Sequence, residues 1–197
     1  MVGMFKEKFW QRFWHIAESK GAKKTLILVS FTEAIFFPLP PDLLLIPMGL
    51  AEREKVFSLA HLTLLTSVLG GLVGYFLGYF FMDTLGQWLI SLYSLEDKYI
   101  YLQTLYQKYQ VLAVGIAGLT PVPYKLCTLT AGTFKLNLGL FLLVSTLSRG
   151  LRFYLIAALI YWKGEQARVF LEKRLDLVLT LTVLLIILGF GIVKFLK

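Results

Sequence analysis

Phe36-Phe37-Pro38-Leu39-Pro40-Pro41-Asp42 interrupts an apolar run at residues 26–50, and the architecture follows from that interruption. Proline has no amide hydrogen and its ring clashes with the preceding turn. A Pro-x-Pro step inside an apolar run therefore ends one helix and opens another. The stretch has a counterpart in Leu119-Thr120-Pro121-Val122-Pro123-Tyr124-Lys125. Pro38 falls on Pro121, Pro40 on Pro123, Asp42 on Lys125 and Gly49 on Gly132, each pair 83 positions apart without a gap. Each copy is an apolar run, a proline break, a charged residue, a glycine and then a long apolar segment, so the chain carries an internal repeat. In hydrocarbon the carbonyls freed by such a break find no water, and the break must be buried in protein or face a wet cavity. Two re-entrant helical hairpins are the expected result.

The rest of the chain fits a membrane. Of 197 residues 57% are hydrophobic, 15% aromatic and only 16% charged, with a mean hydropathy of +0.71. That composition excludes disorder, a disulfide scaffold and a coiled coil. Cys127 is the sole cysteine, so no intrachain bridge forms. The +8 net charge is read against the anionic face of a bilayer and not against nucleic acid. Residues 56–82, 136–162 and 177–192 read as full spans and 26–50 and 111–134 as broken ones, given about 20 residues per crossing. The expected fold is an all-α integral membrane protein forming a single domain. Its parts are an interfacial amphipathic helix (1–24), a first repeat (25–82) and an interfacial linker rich in tyrosine (83–110), with Asp83 ending the span before it. A second repeat (111–162) and a charged connector with a C-terminal span (163–197) complete it. No cleavable signal peptide is expected, since the first apolar run contains Glu33 and leads into prolines. Six Lys or Arg in 1–24 and four in 163–176, against two in 83–110, put the N-terminus in the cytoplasm and make the two repeats inverted.

Five ionisable residues, Glu33, Asp42, Lys125, Arg149 and Arg152, fall within the apolar segments. Each costs about 2.5 to 3.5 kcal/mol at mid-membrane on insertion scales, so all should face inward. Ser145, Ser148, Arg149 and Arg152 follow the i, i+3, i+4, i+7 spacing of one helix face. One reading makes these charges internal ties, the arginines pairing with Glu33 and Asp42. The other makes them a site in which arginine forks grip phosphate or carboxylate oxygens, Lys125, Ser145 and Ser148 contribute, and Glu33 and Asp42 carry protons or gate. Asp42 and Lys125 are candidates for a charge pair across the pseudo-two-fold. Gly70, Gly74 and Gly78 form a small-residue stripe for close helix packing, within the chain or against a second copy. His15 and His61 lie far apart and Cys127 lacks a partner histidine, so neither a metal nor another cofactor is expected. With no visible nucleophile and base, neither is an enzyme.

A glutamate in an apolar run followed by FPLPPDLLLIPMGL (37–50), TPVPYKLCTLTAGTF (120–134) and a helix bearing SRGLRF (148–153) resembles the DedA family. That family is also called the VTT or SNARE-associated Golgi-protein family, and the resemblance is to its YqaA-like branch, over residues 26–164. The resemblance implies two re-entrant hairpins, a bacterial inner-membrane location, and transport or flipping of lipids such as undecaprenyl phosphate, with dependence on the proton-motive force in some members. By motif position it assigns the family's acidic residues to Glu33 and Asp42 and its arginines to Arg149 and Arg152. The chain departs from the family's F-x-R-F-x-P-G-x-R pattern in the second hairpin. Lys125 stands for one arginine and the other is missing. The functions expected are, first, movement of an anionic lipid headgroup, with membrane lipids as partners. A proton-coupled exporter of small ions or a non-transporting assembly protein are the alternatives.

Overall fold

The computed structural model describes residues 19, 21–120, 123–164 and 166, and every regular element among them is helical. We number them α1 (Ala22–Glu33), α2 (Asp42–Ala51), α3 (Val56–Phe81), α4 (Gln87–Leu92), α5 (Glu96–Leu119), α6 (Tyr124–Thr133) and α7 (Leu138–Lys163). A 3-10 turn (Arg53–Lys55) precedes α3 and a π-helical turn (Met82–Gly86) follows it. The pattern repeats as the sequence does. α2 and α6 are each 10 residues long, and α3 and α7 are each 26. Most of the interfacial helix expected in 1–24, the C-terminal span, Pro121 and His15 lie outside the described residues. Lys23 and Lys24, read as following that helix, belong to α1.

α3 is the central helix. Ser30 on α1 donates to the Thr63 carbonyl at 2.8 Å, and the Phe31 carbonyl abuts Gly70 further along, so α1 climbs α3 from its N-terminal end toward its middle. α2 returns to that same end, where Gly49 meets Val56. α5 and α6 mirror this at the other end. Tyr99 on α5 donates to the Thr133 carbonyl, and α6 lies along the second half of α3, with Tyr124 against Gly71 and Gly132 against the Tyr75 backbone. α7 runs back along α3, fastened at its start by Tyr75 Oη donating to the Leu136 carbonyl at 2.6 Å and near its end by the Phe57–Tyr161 ring contact at 5.6 Å.

Such proximity requires glycine. A Cβ on Gly70 would sit 2.2 Å from the Phe31 carbonyl oxygen, on Gly78 2.1 Å from that of Leu129, and on Gly132 1.8 Å from that of Tyr75. All three of Gly70, Gly74 and Gly78 are therefore occupied by α1 and α6 of the same chain. Of the two uses expected for the stripe, the structure shows the one within the chain, with the glycines buried inside the bundle.

The outward faces of α3 and α7 expose Leu65, Leu69 and Phe80, and Leu143, Leu147 and Leu151. Both helices are long and apolar enough to cross a membrane. At 1.5 Å per residue, 26 residues reach about 39 Å, beyond a hydrocarbon core of about 30 Å. The helical run continues past Asp83 to Leu92, and Lys135 Nζ meets Asp83 Oδ1 at 2.5 Å. Most of 83–110 is likewise helical, with a departure from helical geometry at Tyr109 inside α5, where the second apolar stretch begins.

Candidate functional site

The two breaks meet at the middle of α3. α1 closes with the Thr32 carbonyl accepting from the amides of Ile35, Phe36 and Phe37, after which Pro38 ends the helix. The carbonyls freed there are taken by side chains of the second repeat. Thr128 Oγ1 donates to the Ala34 carbonyl at 2.8 Å, and Lys125 Nζ to those of Phe36 and Phe37 at 3.3 and 3.4 Å. In return the Thr120 carbonyl at the second break accepts from Arg152 Nη1 at 2.6 Å. These carbonyls are thus satisfied by protein groups of the opposite repeat or its following helix.

Asp42 does not pair with Lys125, contrary to the expectation from the repeat. It opens α2, where a carboxylate is favoured by the helix dipole, and its side chain meets Arg152 Nη2 on α7. Lys125 lies on α6, where the bare carbonyls of the first break attract its ammonium.

The second ion pair lies deeper. Arg149 Nη2 donates to Glu33 Oε2 at 2.9 Å, with Arg149 only 4% and Glu33 8% exposed. The guanidinium lies between the rings of Tyr124, 4.3 Å to centroid, and Phe153, 5.0 Å, whose faces favour a cation. Ser145, Ser148 and Arg149 are all buried on the inner face of α7, and Arg152 is half-buried on the same stripe. Ser148 faces Gly118 of α5 and donates to the Ser145 carbonyl at 3.3 Å.

Around these pairs the buried Asp42 Oδ1, Arg149 Nε and Ser67 Oγ have no hydrogen-bond partner, and the hydroxyls of Tyr124 and Ser145 lie beside each other. Tyr124 Oη points at Gly71, one turn along α3 from Ser67. The arrangement is two neutral arginine–carboxylate pairs, each arginine keeping donors to spare, with hydroxyls nearby. Such a set suits an oxyanion, which accepts from guanidinium and hydroxyl alike. Of the hairpin-break residues, Pro41 and Gly49 are buried against α2 and its neighbours while Pro38 is exposed. Sequence reasoning missed Tyr124, Thr128, Phe153, Thr120 and Ser67. Tyr124 stands beside Lys125 in the motif and Phe153 beside Arg152. Ser67 carries no local signal, since its place is set by packing.

Residues 39–162 match the family model of the VTT domain. An uncharacterized protein of Haemophilus influenzae is 34% identical over 169 residues, covering 86% of this chain and 88% of its own length. An uncharacterized protein of Histophilus somni is 32% identical over 178 residues, covering 90% of this chain and 93% of its own. No solved structure matches.

Proposed function

The chain belongs to the VTT domain family, a family of membrane proteins, and from that premise we propose a transporter or lipid flippase. It moves an anionic headgroup, a polyprenyl phosphate or a phospholipid, along a polar path between two re-entrant hairpins. The observation that carries this reading is the pair of arginine–carboxylate contacts, Arg149–Glu33 and Arg152–Asp42, at the depth where the two breaks meet. A phosphate and a carboxylate offer the same planar fork similar oxygens. An arriving headgroup can take the arginine as the carboxylate gives it up, so no buried charge is stranded during the exchange. Protonation of Glu33 or Asp42 neutralises the competing acid, and movement is thereby coupled to protons. Ser145 and Ser148 supply hydroxyls, and Lys125 a third cation.

In this reading the α1–α2 hairpin enters and leaves at one membrane face and the α5–α6 hairpin at the other, as inverted repeats in a bacterial inner membrane with the N-terminus in the cytoplasm. The anchoring of the two hairpins at opposite ends of α3 supports it. Proline breaks that share one depth are where such repeats bind their cargo. Liposomes containing the purified protein are expected to accelerate transbilayer movement of a fluorescent phosphorylated polyprenol or anionic phospholipid. Arg149→Ala should abolish the acceleration while a folded, monodisperse protein remains; acceleration unchanged in that variant overturns the proposal.

One observation favours a second reading: both carboxylates are already paired, as they would be if the ions only braced the bundle. In that case wild-type liposomes move lipid no faster than protein-free ones.

A further inference from the structure

A cavity of about 180 Å³ opens between α1 and α3 at the N-terminal end of α3, away from the two ion pairs, lined by Lys23, Lys55, Ser58, His61, Leu62 and Leu65 among others. Its groups are sorted by depth. Lys23 lies in the first turn of α1, Lys55 just before α3, and Ser58 and His61 in the first two turns of α3. Leu62 and Leu65 come next, and exposed Leu69 continues the same stripe. On α1 the exposed Ile27 lies one turn deeper than Lys23.

The charge at the mouth is positive. Lys55 Nζ meets Glu52 at 2.6 Å, so those two offset each other. Lys23 makes no ion pair among the described residues. Its field reaches Glu52, whose carboxyl is held below its ordinary pKa mainly by Lys55 and in smaller part by Lys23. His61 is fixed at the rim by a 2.9 Å hydrogen bond with Tyr154 on α7. Exposed Lys24 follows Lys23 in sequence, and exposed Arg53 and Glu54 precede Lys55, on which the charge of Glu54 also bears. Cations and a hydroxyl at one end, with an aliphatic lane leading from them along α1 and α3, complement an amphiphile whose charge sits at its head. A soluble anion would make no use of the lane.

We infer that this cavity holds the phosphate headgroup of an anionic phospholipid, its acyl chains lying along Ile27, Leu62, Leu65 and Leu69, as a lipid site separate from the arginine pairs. The test is native mass spectrometry of the full-length protein released from mixed micelles, counting retained phosphatidylglycerol against phosphatidylcholine with the same chains. Phosphatidylglycerol is expected to be retained at least about fivefold better. Lys23→Gln with Lys55→Gln should remove the preference, bringing retention of the two lipids to about the same level, and leave the thermal midpoint in phosphatidylcholine unchanged. Leu62→Ser with Leu65→Ser should weaken retention with no change in charge. Arg152→Gln should keep the preference, separating this site from the proposed transport site. Equal retention of the two lipids overturns the inference. So does a preference that survives the double lysine change, or displacement of the lipid by inorganic phosphate at equal concentration.

Discussion

Arg149 and Glu33 illustrate what a single buried charge demands. Each is nearly sealed from solvent and each has the other as its ionic partner. Removing one partner from such a pair leaves the other stranded, at about 3 to 5 kcal/mol. Arg149→Met and Glu33→Leu singly should each lower the thermal midpoint in micelles sharply, whereas the two together should recover most of the loss; equal or additive losses would show that the pair is not coupled. Asp42 and Lys125 behave differently. They occupy matching positions of the repeat yet bond elsewhere, Asp42 to Arg152 and Lys125 to the carbonyls of Phe36 and Phe37. The swapped protein, Asp42→Lys with Lys125→Asp, is therefore expected to be at least as impaired in lipid movement as either single change. Recovery of movement in the swap would mean that they do face each other. The sequence marked all five intramembrane charges as inward, because hydrocarbon rejects them. It could not say who pairs with whom, since partners such as Arg149 and Glu33 are 116 positions apart.

At the scale of elements, the repeat was the legible part. Proline and glycine act through the backbone itself, so an offset read from Pro38, Pro40 and Gly49 carries directly into matched helices, α2 with α6 and α3 with α7. Where a helix ends depends on contacts the sequence does not order, and the helical run here continues past Asp83 to Leu92. The glycines make this testable. A Cβ at Gly132 would meet the Tyr75 carbonyl oxygen at 1.8 Å, backbone against backbone, while at Gly115, inside α5, the nearest atom is Val144 Cγ1 at 3.6 Å. Gly132→Ala should push α6 off α3 and cost more than about 2 kcal/mol, as overpacking does. Gly115→Ala should be neutral or raise stability by up to about 1 kcal/mol, the helix-propensity gain. Unfolding midpoints of the two variants in the same detergent check both, and similar values would contradict the close approach.

For the whole molecule, apolar composition and length made the membrane helices readable, since bilayer thickness sets their size. The site was only half readable, because its aromatic walls, Tyr124 and Phe153, look like ordinary core residues until the fold lays them on Arg149. The proposed inversion is testable at the two ends of α3. The turn before it and the loop before α7 sit at its two ends, so Glu54→Cys and Asn137→Cys, both at exposed positions, should react with a membrane-impermeant maleimide from opposite faces of sealed vesicles. Buried Cys127 should stay silent in both. Labelling from one face would rule out inverted hairpins. The central claim is that Asp42 and Glu33 hold the arginines until a phosphate takes their place. It is tested most directly by equilibrium binding of a short-chain prenyl phosphate to the full-length protein in micelles. Asp42→Asn, which removes a competitor and keeps the cation, should bind about fivefold or more tightly than wild type, as expected when a binding-competent state is freed, and Arg152→Ala should lose binding. Equal affinity in all three proteins, or weaker binding by Asp42→Asn, would contradict it.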